Sequence, residues 1–211
     1  SDLVDNLMSW YYHIRNIISK ANSRSWLCMR TLGFRAPLKA KRTCYLVMVR
    51  SILEYASTLW SPTYKHMIIS LETIQRRMTN YIMSNPRRPN PDRLNYKQRL
   101  IELNILPLTY RREILDIQFF LKTWNGVNKL GLDKILKFNR VEEGRVTRAK
   151  ILALDLKYNK TALVTTAHFF PYRLANTWNK LPILLREKLR YLHESEKIKK
   201  RSEERRVGKE C

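Results

Sequence analysis

Apolar residues return every three or four positions over most of the first 130 residues, the period of helices with one buried face. Leu3, Leu7, Trp10, Ile14, Ile17, Ile18 and Ala21 share one such face, with Ser1 and Asp2 as N-cap residue types and Gly33 and Pro37 closing the segment. Tyr45, Val49, Ile52, Leu53, Ala56, Leu59 and Trp60 form a second stripe, which Pro62 ends. Met67, Leu71, Ile74, Met78 and Ile82 form a third, with Lys65, Glu72, Arg76 and Asn80 opposite. Glu72 precedes Arg76 by four, the favourable order for a surface ion pair on a helix. The second and third stripes are similar in length and joined by a short turn, which predicts an antiparallel pair.

Three prolines between Asn85 and Pro91 mark a loop. A short helix is expected around Tyr96, Leu100 and Leu103, before a turn at Pro107. Tyr110, Ile114, Ile117, Leu121 and Trp124 predict a longer one, with Thr109 as N-cap and Gly126 as stop. Beyond Gly144 the helical period weakens. Ile151–Tyr158 and Leu163–His168 lean towards β-structure and flank Asn159-Lys160, which suggests a small hairpin. Pro171 heads a helix with Leu174, Ala175 and Trp178, and Pro182 heads another with Leu185, Leu189 and Leu192. The expected fold class is mostly α, a helical bundle with a less regular C-terminal third. The expected divisions are 1–85, a Pro-rich hinge loop at 86–92, a second helical part at 93–139, and a C-terminal segment at 140–200.

Composition narrows the classes. The chain has 211 residues, with 41 Lys+Arg against 18 Asp+Glu and a formal net charge of +23. Hydrophobic residues make up 44 % and aromatics 10 %, too much for a disordered chain. No apolar run approaches the roughly 18 residues of a membrane span. The opening residues carry acids and lack a signal-peptide pattern. Three widely spaced cysteines make no disulfide framework, so a reducing compartment is expected. The last eleven residues, Arg201–Cys211, look like the in-frame translation of a sequencing adapter and are set aside. The remaining 200 residues hold 37 basic and 15 acidic side chains, net +22. Like charge at that density opposes compaction, and a polyanion relieves it. Nucleic acid is the first such partner and an anionic membrane the second.

Acids are scattered, with Asp at 2, 5, 92, 116, 133 and 155, and form no two-metal pattern. His13, His66, His168 and His193 fit no compact metal spacing. Cys28 and Cys44 read as buried thiols or as half of a metal site. No glycine-rich phosphate loop and no nucleophile–base pattern occurs, so this chain alone is expected to be catalytically inactive and to hold no cofactor. The basic pairs say more. Arg111 and Arg112 fall in the first turn of a helix, where cations oppose the dipole. Either a bound phosphate or acids from elsewhere in the fold would reverse that cost. Arg76 and Arg77 lie off their apolar stripe, on a solvated or a nucleic-acid-binding face. Arg87 and Arg88 are exposed in the proline loop. These six arginines are the candidate nucleic-acid contacts. Trp10, Trp60, Trp124 and Trp178 have core spacing, whereas Trp26 and Tyr12 fit their apolar faces less well and are the better base-stacking candidates.

Four stretches carry a family likeness. Leu46–Pro62 reads LVMVRSILEYASTLWSP, Leu71–Ile82 reads LETIQRRMTNYI, Tyr96–Arg112 reads YKQRLIELNILPLTYRR and continues to DIQFFLKTWNG at Asp116–Gly126, and Phe169–Pro182 reads FFPYRLANTWNKLP. In this order they resemble the region after the polymerase core in reverse transcriptases of non-LTR (LINE-type) retrotransposons. The opening run with Trp10, His13, Ile14 and Lys20-Ala21 is similar to the segment following the palm there. The resemblance implies palm-proximal and thumb helices in 1–85 and a second part of the thumb-like region in 93–139. It implies an RNA template and a DNA primer strand as partners, together with the palm and fingers of the same polypeptide, and no membrane. It implies magnesium for the parent polymerase and a ribonucleoprotein in nucleus and cytoplasm. The family's catalytic Tyr/Phe-Ala-Asp-Asp motif does not occur in this sequence, nor does an endonuclease or a cysteine/histidine knuckle. The alternative is a stand-alone basic helical RNA-binding module, ribosome- or tRNA-associated; a membrane-surface or protein-interaction helical protein is a third reading.

Overall fold

A computed structural model describes residues 10–62, 64–84, 94–124, 136–138, 154–156 and 170–189. They are mostly helical, and the chain divides into two compact units, Ser1–Ile114 and Leu115–Cys211. The Pro-rich segment 86–92 lies outside the described residues.

In the first unit, helix α1 spans Tyr11–Leu32 and ends at Gly33, whose positive φ of 62° suits a residue without a side chain and whose N–H returns to the Met29 carbonyl. Its buried face is Ile14, Ile17, Ala21, Ser25 and Cys28, with Trp10 and Ile18 packed at the edge. The stripe therefore continues past Ala21 through small side chains. Ser25 stays satisfied by donating to the Ala21 carbonyl at 2.7 Å.

The second stripe is not one helix. Helix α2 covers Leu38–Cys44, a π-helical segment follows at Tyr45–Arg50, α3 is Ser51–Glu54, and α4 is Ser57–Trp60. Lys41, Tyr45, Val49, Leu53 and Ser57 are all buried, each four residues after the last. A repeat of four outruns the 3.6-residue turn by about 40° per step. The wider turns of the π-helical segment absorb part of that drift. The rest is taken up at Tyr55–Ala56, where Ala56 adopts φ 50°, ψ 25°. The freed Tyr55 carbonyl accepts the Trp60 indole N–H at 2.8 Å. Past the break the expected face no longer holds, for Ala56 and Leu59 are exposed while Trp60 remains in the core.

Helix α5 spans Lys65–Met83 and buries the third stripe as expected. Its main neighbour is α1. Asn22 meets Arg77 and Gly33 meets Tyr81, so the two helices advance in the same direction. The second and third stripes run antiparallel as expected, Lys41 lying at the end of α5 and Tyr45 nearer its middle, but each packs chiefly on α1. The two meet through long side chains: Tyr45 donates to Gln75 at 2.6 Å, and Lys41 reaches the Ser84 carbonyl at 2.8 Å.

Helix α6, Tyr96–Glu102, opens with a capping box between Asn95 and Gln98. Helix α7, Leu108–Trp124, starts one residue before the expected Thr109 cap. A side chain from α5 takes the capping role, for Glu72 accepts the Leu108 N–H at 3.1 Å. Glu72 also accepts the Tyr96 hydroxyl. It is therefore turned towards α6 and α7 rather than paired with Arg76 on the surface.

In the second unit, Phe120, Phe170, Leu174, Ala175 and Trp178 form a separate core, with Phe120 edge-on to Trp178 at 5.5 Å. Arg173 pairs with Asp116 at 3.4 Å. Strands β1, Leu136–Phe138, and β2, Leu154–Leu156, pair antiparallel with Lys137 opposite Asp155. Strand β2 lies within the expected Ile151–Tyr158 strand, but its partner is the earlier β1; Leu163–His168 lies outside the described residues. Helix α8, Phe170–Lys180, starts one residue before Pro171, and α9 covers 183–189.

Candidate nucleic-acid interface

Helix α1 contains four Lys/Arg residues and no Asp or Glu. Arg15, Lys20, Arg24 and Arg30 are all exposed. So are two large aromatics on the same helix, Tyr12 and Trp26, each 60 % accessible. The Arg15 guanidinium lies 5.6 Å from the Tyr11 ring centre, and Arg30 lies 5.0 Å from that of Trp26. Each cation is held beside an aromatic surface, an arrangement that favours both partners in partly dry surroundings.

A groove of about 620 Å³ follows the junction of α1 and α5. Ile14, Ile18 and Met67 contribute apolar surface, and Ser19, Asn22 and Ser70 contribute polar groups. Arg15 also lines it, and Arg77 donates to the groove residue Asn22 at 2.6 Å. Glu72, the one acid in α5, is engaged with Tyr96 and Leu108. The groove thus carries arginine, hydroxyl and amide donors without a carboxylate among its lining residues. A phosphodiester chain is a chemical match for such a surface.

The six candidate arginines separate into distinct environments. Arg77 is exposed and belongs to the α1–α5 face. Arg76, its neighbour, is also exposed but stacks over the Tyr96 ring at 4.8 Å. Arg87 and Arg88 lie outside the described residues. Arg111 makes a bidentate pair with Glu54, both bonds 3.0 Å. The bond to Glu54 raises the guanidinium pKa further. Arg112 is 3 % exposed. At the start of α7 two acids, Glu54 and Glu72, thus stand where the sequence also allowed a phosphate.

Other polar groups serve the fold. Lys41, 2 % exposed, donates to the carbonyls of Phe34 at 2.7 Å and Ser84 at 2.8 Å. Burial lowers its pKa. Tyr96 and Tyr45 are both pushed upward, chiefly by burial. Trp60 and Trp178 are buried in the two cores and Trp10 packs against the first, whereas Trp26 is exposed. Among the described residues no group of three or more His, Cys, Asp or Glu could hold a metal ion, and no helix is long and apolar enough to cross a membrane.

The arginines of α1 were not among the candidates drawn from sequence. The signal for them was present, as a 22-residue helix with four cations, two outlying aromatics and no acid.

No known protein family, curated protein or solved structure matches the chain.

Proposed function

We propose that this chain is a nucleic-acid-binding part of an RNA-directed DNA polymerase of the non-LTR retrotransposon type, gripping template RNA and growing DNA. The ordered motifs supply the polymerase assignment, and the observation that carries nucleic-acid binding is the acid-free, arginine-lined surface of α1 and its groove with α5. In this reading the chemistry, with its magnesium, belongs to the palm of the same polypeptide, and the present residues hold the substrate strands.

Phosphate contacts release counterions, so log affinity falls with log salt by roughly 0.7–0.9 per contact. Fluorescence anisotropy of the full chain with labelled RNA and DNA of mixed sequence, at several salt concentrations, tests this. We expect binding to both with little sequence preference and a steep slope. Arg15→Gln with Arg77→Gln lowers the slope by about 1–2, while Lys197→Gln with Lys199→Gln changes it less. Absence of binding at low salt overturns the proposal, and equal effects of the two double variants reduce it to bulk charge.

A further inference from the structure

We infer that the outer strip of α1, from Tyr12 to Arg30, binds a single strand, with bases stacked on Tyr12 and Trp26 and the sugar-phosphate chain carried by the α1–α5 groove. This rests on the nucleic-acid reading above and specifies the form of the ligand.

The rings lead the argument. Phosphate contacts alone need only cations and polar donors, yet α1 leaves Tyr12 and Trp26 each 60 % exposed. Fourteen residues separate them, about 21 Å along the helix, and their directions around its axis differ by about 40°. They therefore stand on one line, several nucleotides apart. Aromatic side chains stack well on unpaired bases, whose faces a duplex keeps against neighbouring pairs. Arg30 at 5.0 Å from the Trp26 ring centre places a cation beside that platform, where a phosphate on either side of a stacked base can meet it.

The groove supports the same reading. Helices in contact lie 8–10 Å apart, so the furrow between α1 and α5 suits one backbone rather than a double helix. Arg15 lines it, and Asn22, seven residues or about 10 Å further along, carries Arg77. Ser19 gives a short hydroxyl that suits sugar and phosphate oxygens, while the Ser70 hydroxyl donates to the His66 carbonyl and can accept from a sugar hydroxyl. Every base has a stacking face, and stacking on the two rings needs no particular base edge. The strip therefore accepts strands of any sequence.

The test uses the full chain and three labelled probes of twelve nucleotides per strand: oligo-U, oligo-dT and a mixed-sequence DNA duplex, all at about 0.1 M salt. We expect both single strands to bind about tenfold more tightly than the duplex and to quench tryptophan fluorescence. Tyr12→Ala with Trp26→Ala weakens single-strand binding tenfold or more and leaves duplex binding within twofold, while Trp26→Phe retains most of the affinity. Both rings are exposed, so the far-ultraviolet spectrum and the melting temperature stay unchanged. Equal affinity for single strand and duplex, or unaltered single-strand binding by the double ring variant, overturns the inference and leaves the nucleic-acid reading standing. No binding to any probe at low salt overturns both.

Discussion

Glu54 and Arg111 meet through two parallel bonds of 3.0 Å, Nε to Oε1 and Nη2 to Oε2, joining α3 to the first turn of α7. Arg50 approaches the same carboxylate at 3.4 Å. A cation at a helix N-terminus costs roughly 0.3–1 kcal/mol, and here a neighbouring acid offsets it. The fold, rather than a ligand, supplies the anion. Glu54→Gln leaves Arg50 and Arg111 facing each other and is expected to cost about 1 kcal/mol by urea denaturation. Arg111→Gln with Arg112→Gln is expected to lower stability further, because Arg112 is buried, while the salt slope of nucleic-acid binding by the folded protein stays as in the parent chain. A slope reduced by that pair would restore the helix start as a phosphate site.

Lys41 ties the turn after α1 to the end of α5. Its ammonium donates to the Phe34 and Ser84 carbonyls and lies 5.0 Å from the Tyr81 ring centre. Hydrogen bonds from charged groups contribute about 1.5–3 kcal/mol. Lys41→Met keeps the length and apolar stem but strands both carbonyls, and is expected to cost about 2–3 kcal/mol in chemical denaturation. Lys39→Met, on an exposed neighbour, is expected to change stability by less than about 0.5 kcal/mol. Equal small effects would show that the buried ammonium contributes nothing beyond its packing.

His13 is expected to give the fold a pH dependence. The imidazole sits edge-on between Trp10 at 5.6 Å and Trp60 at 5.8 Å. Burial, and then the charge of Lys20, lowers its pKa. The folded state thus prefers neutral imidazole, and the unfolded chain binds the proton more readily. Stability is full above the ordinary value of about 6.5 and falls as pH drops from there towards the depressed folded value. Melting temperatures from pH 8 to pH 5 are expected to decline below about 6.5, and the decline is expected to shrink in His13→Gln. An identical profile in that variant would move the effect to another group.

The sequence made parts of this arrangement readable because they depend on local periodicity alone. Trp60 and Trp178 stand on strong apolar repeats and are buried, and α5 begins and ends within two residues of its stripe. The departures come from contacts distant in sequence. Lys41 looks like the basic residues around it, and only the chain returning through Ser84 makes it a core donor. Glu72 is spaced for an ion pair with Arg76, but Tyr96 and Leu108 arrive from later elements and turn it inward. The break at Ala56 follows from a four-residue repeat that a uniform helix cannot keep on one side. For the candidate interface, Trp26 and Tyr12 were legible as poor fits to their apolar face, and Arg77 as lying off its own. The parallel packing that brings Arg77 to Asn22 was not, since it rests on a 55-residue separation.

Cys28 and Cys44 provide a final check on how α1 meets α2. The Cys44 and Cys28 sulfurs lie 2.7 Å apart, and the Met48 thioether lies 3.8 Å from Cys28 and 3.6 Å from Cys44. Cys28 is 1 % exposed, whereas Cys44 is half-buried and lines an open apolar groove of about 670 Å³ with Leu32, Pro37, Thr43 and Val47. Burial, with the bond from Cys44, pushes the Cys28 thiol up to about 12. Alkylation requires thiolate, so a buried thiol with a raised pKa reacts slowly. Iodoacetamide at pH 7.5, followed by peptide mapping, is therefore expected to modify Cys44 at least tenfold faster than Cys28. At pH 9 Cys28 still lags. In urea above the unfolding midpoint the two react alike, since both the burial and the sulfur contact are gone. Faster labelling of Cys28 than of Cys44 in the folded chain would place the wrong face of α1 against α2, and the assignment of Arg15 and Trp26 to the outer surface would fall with it.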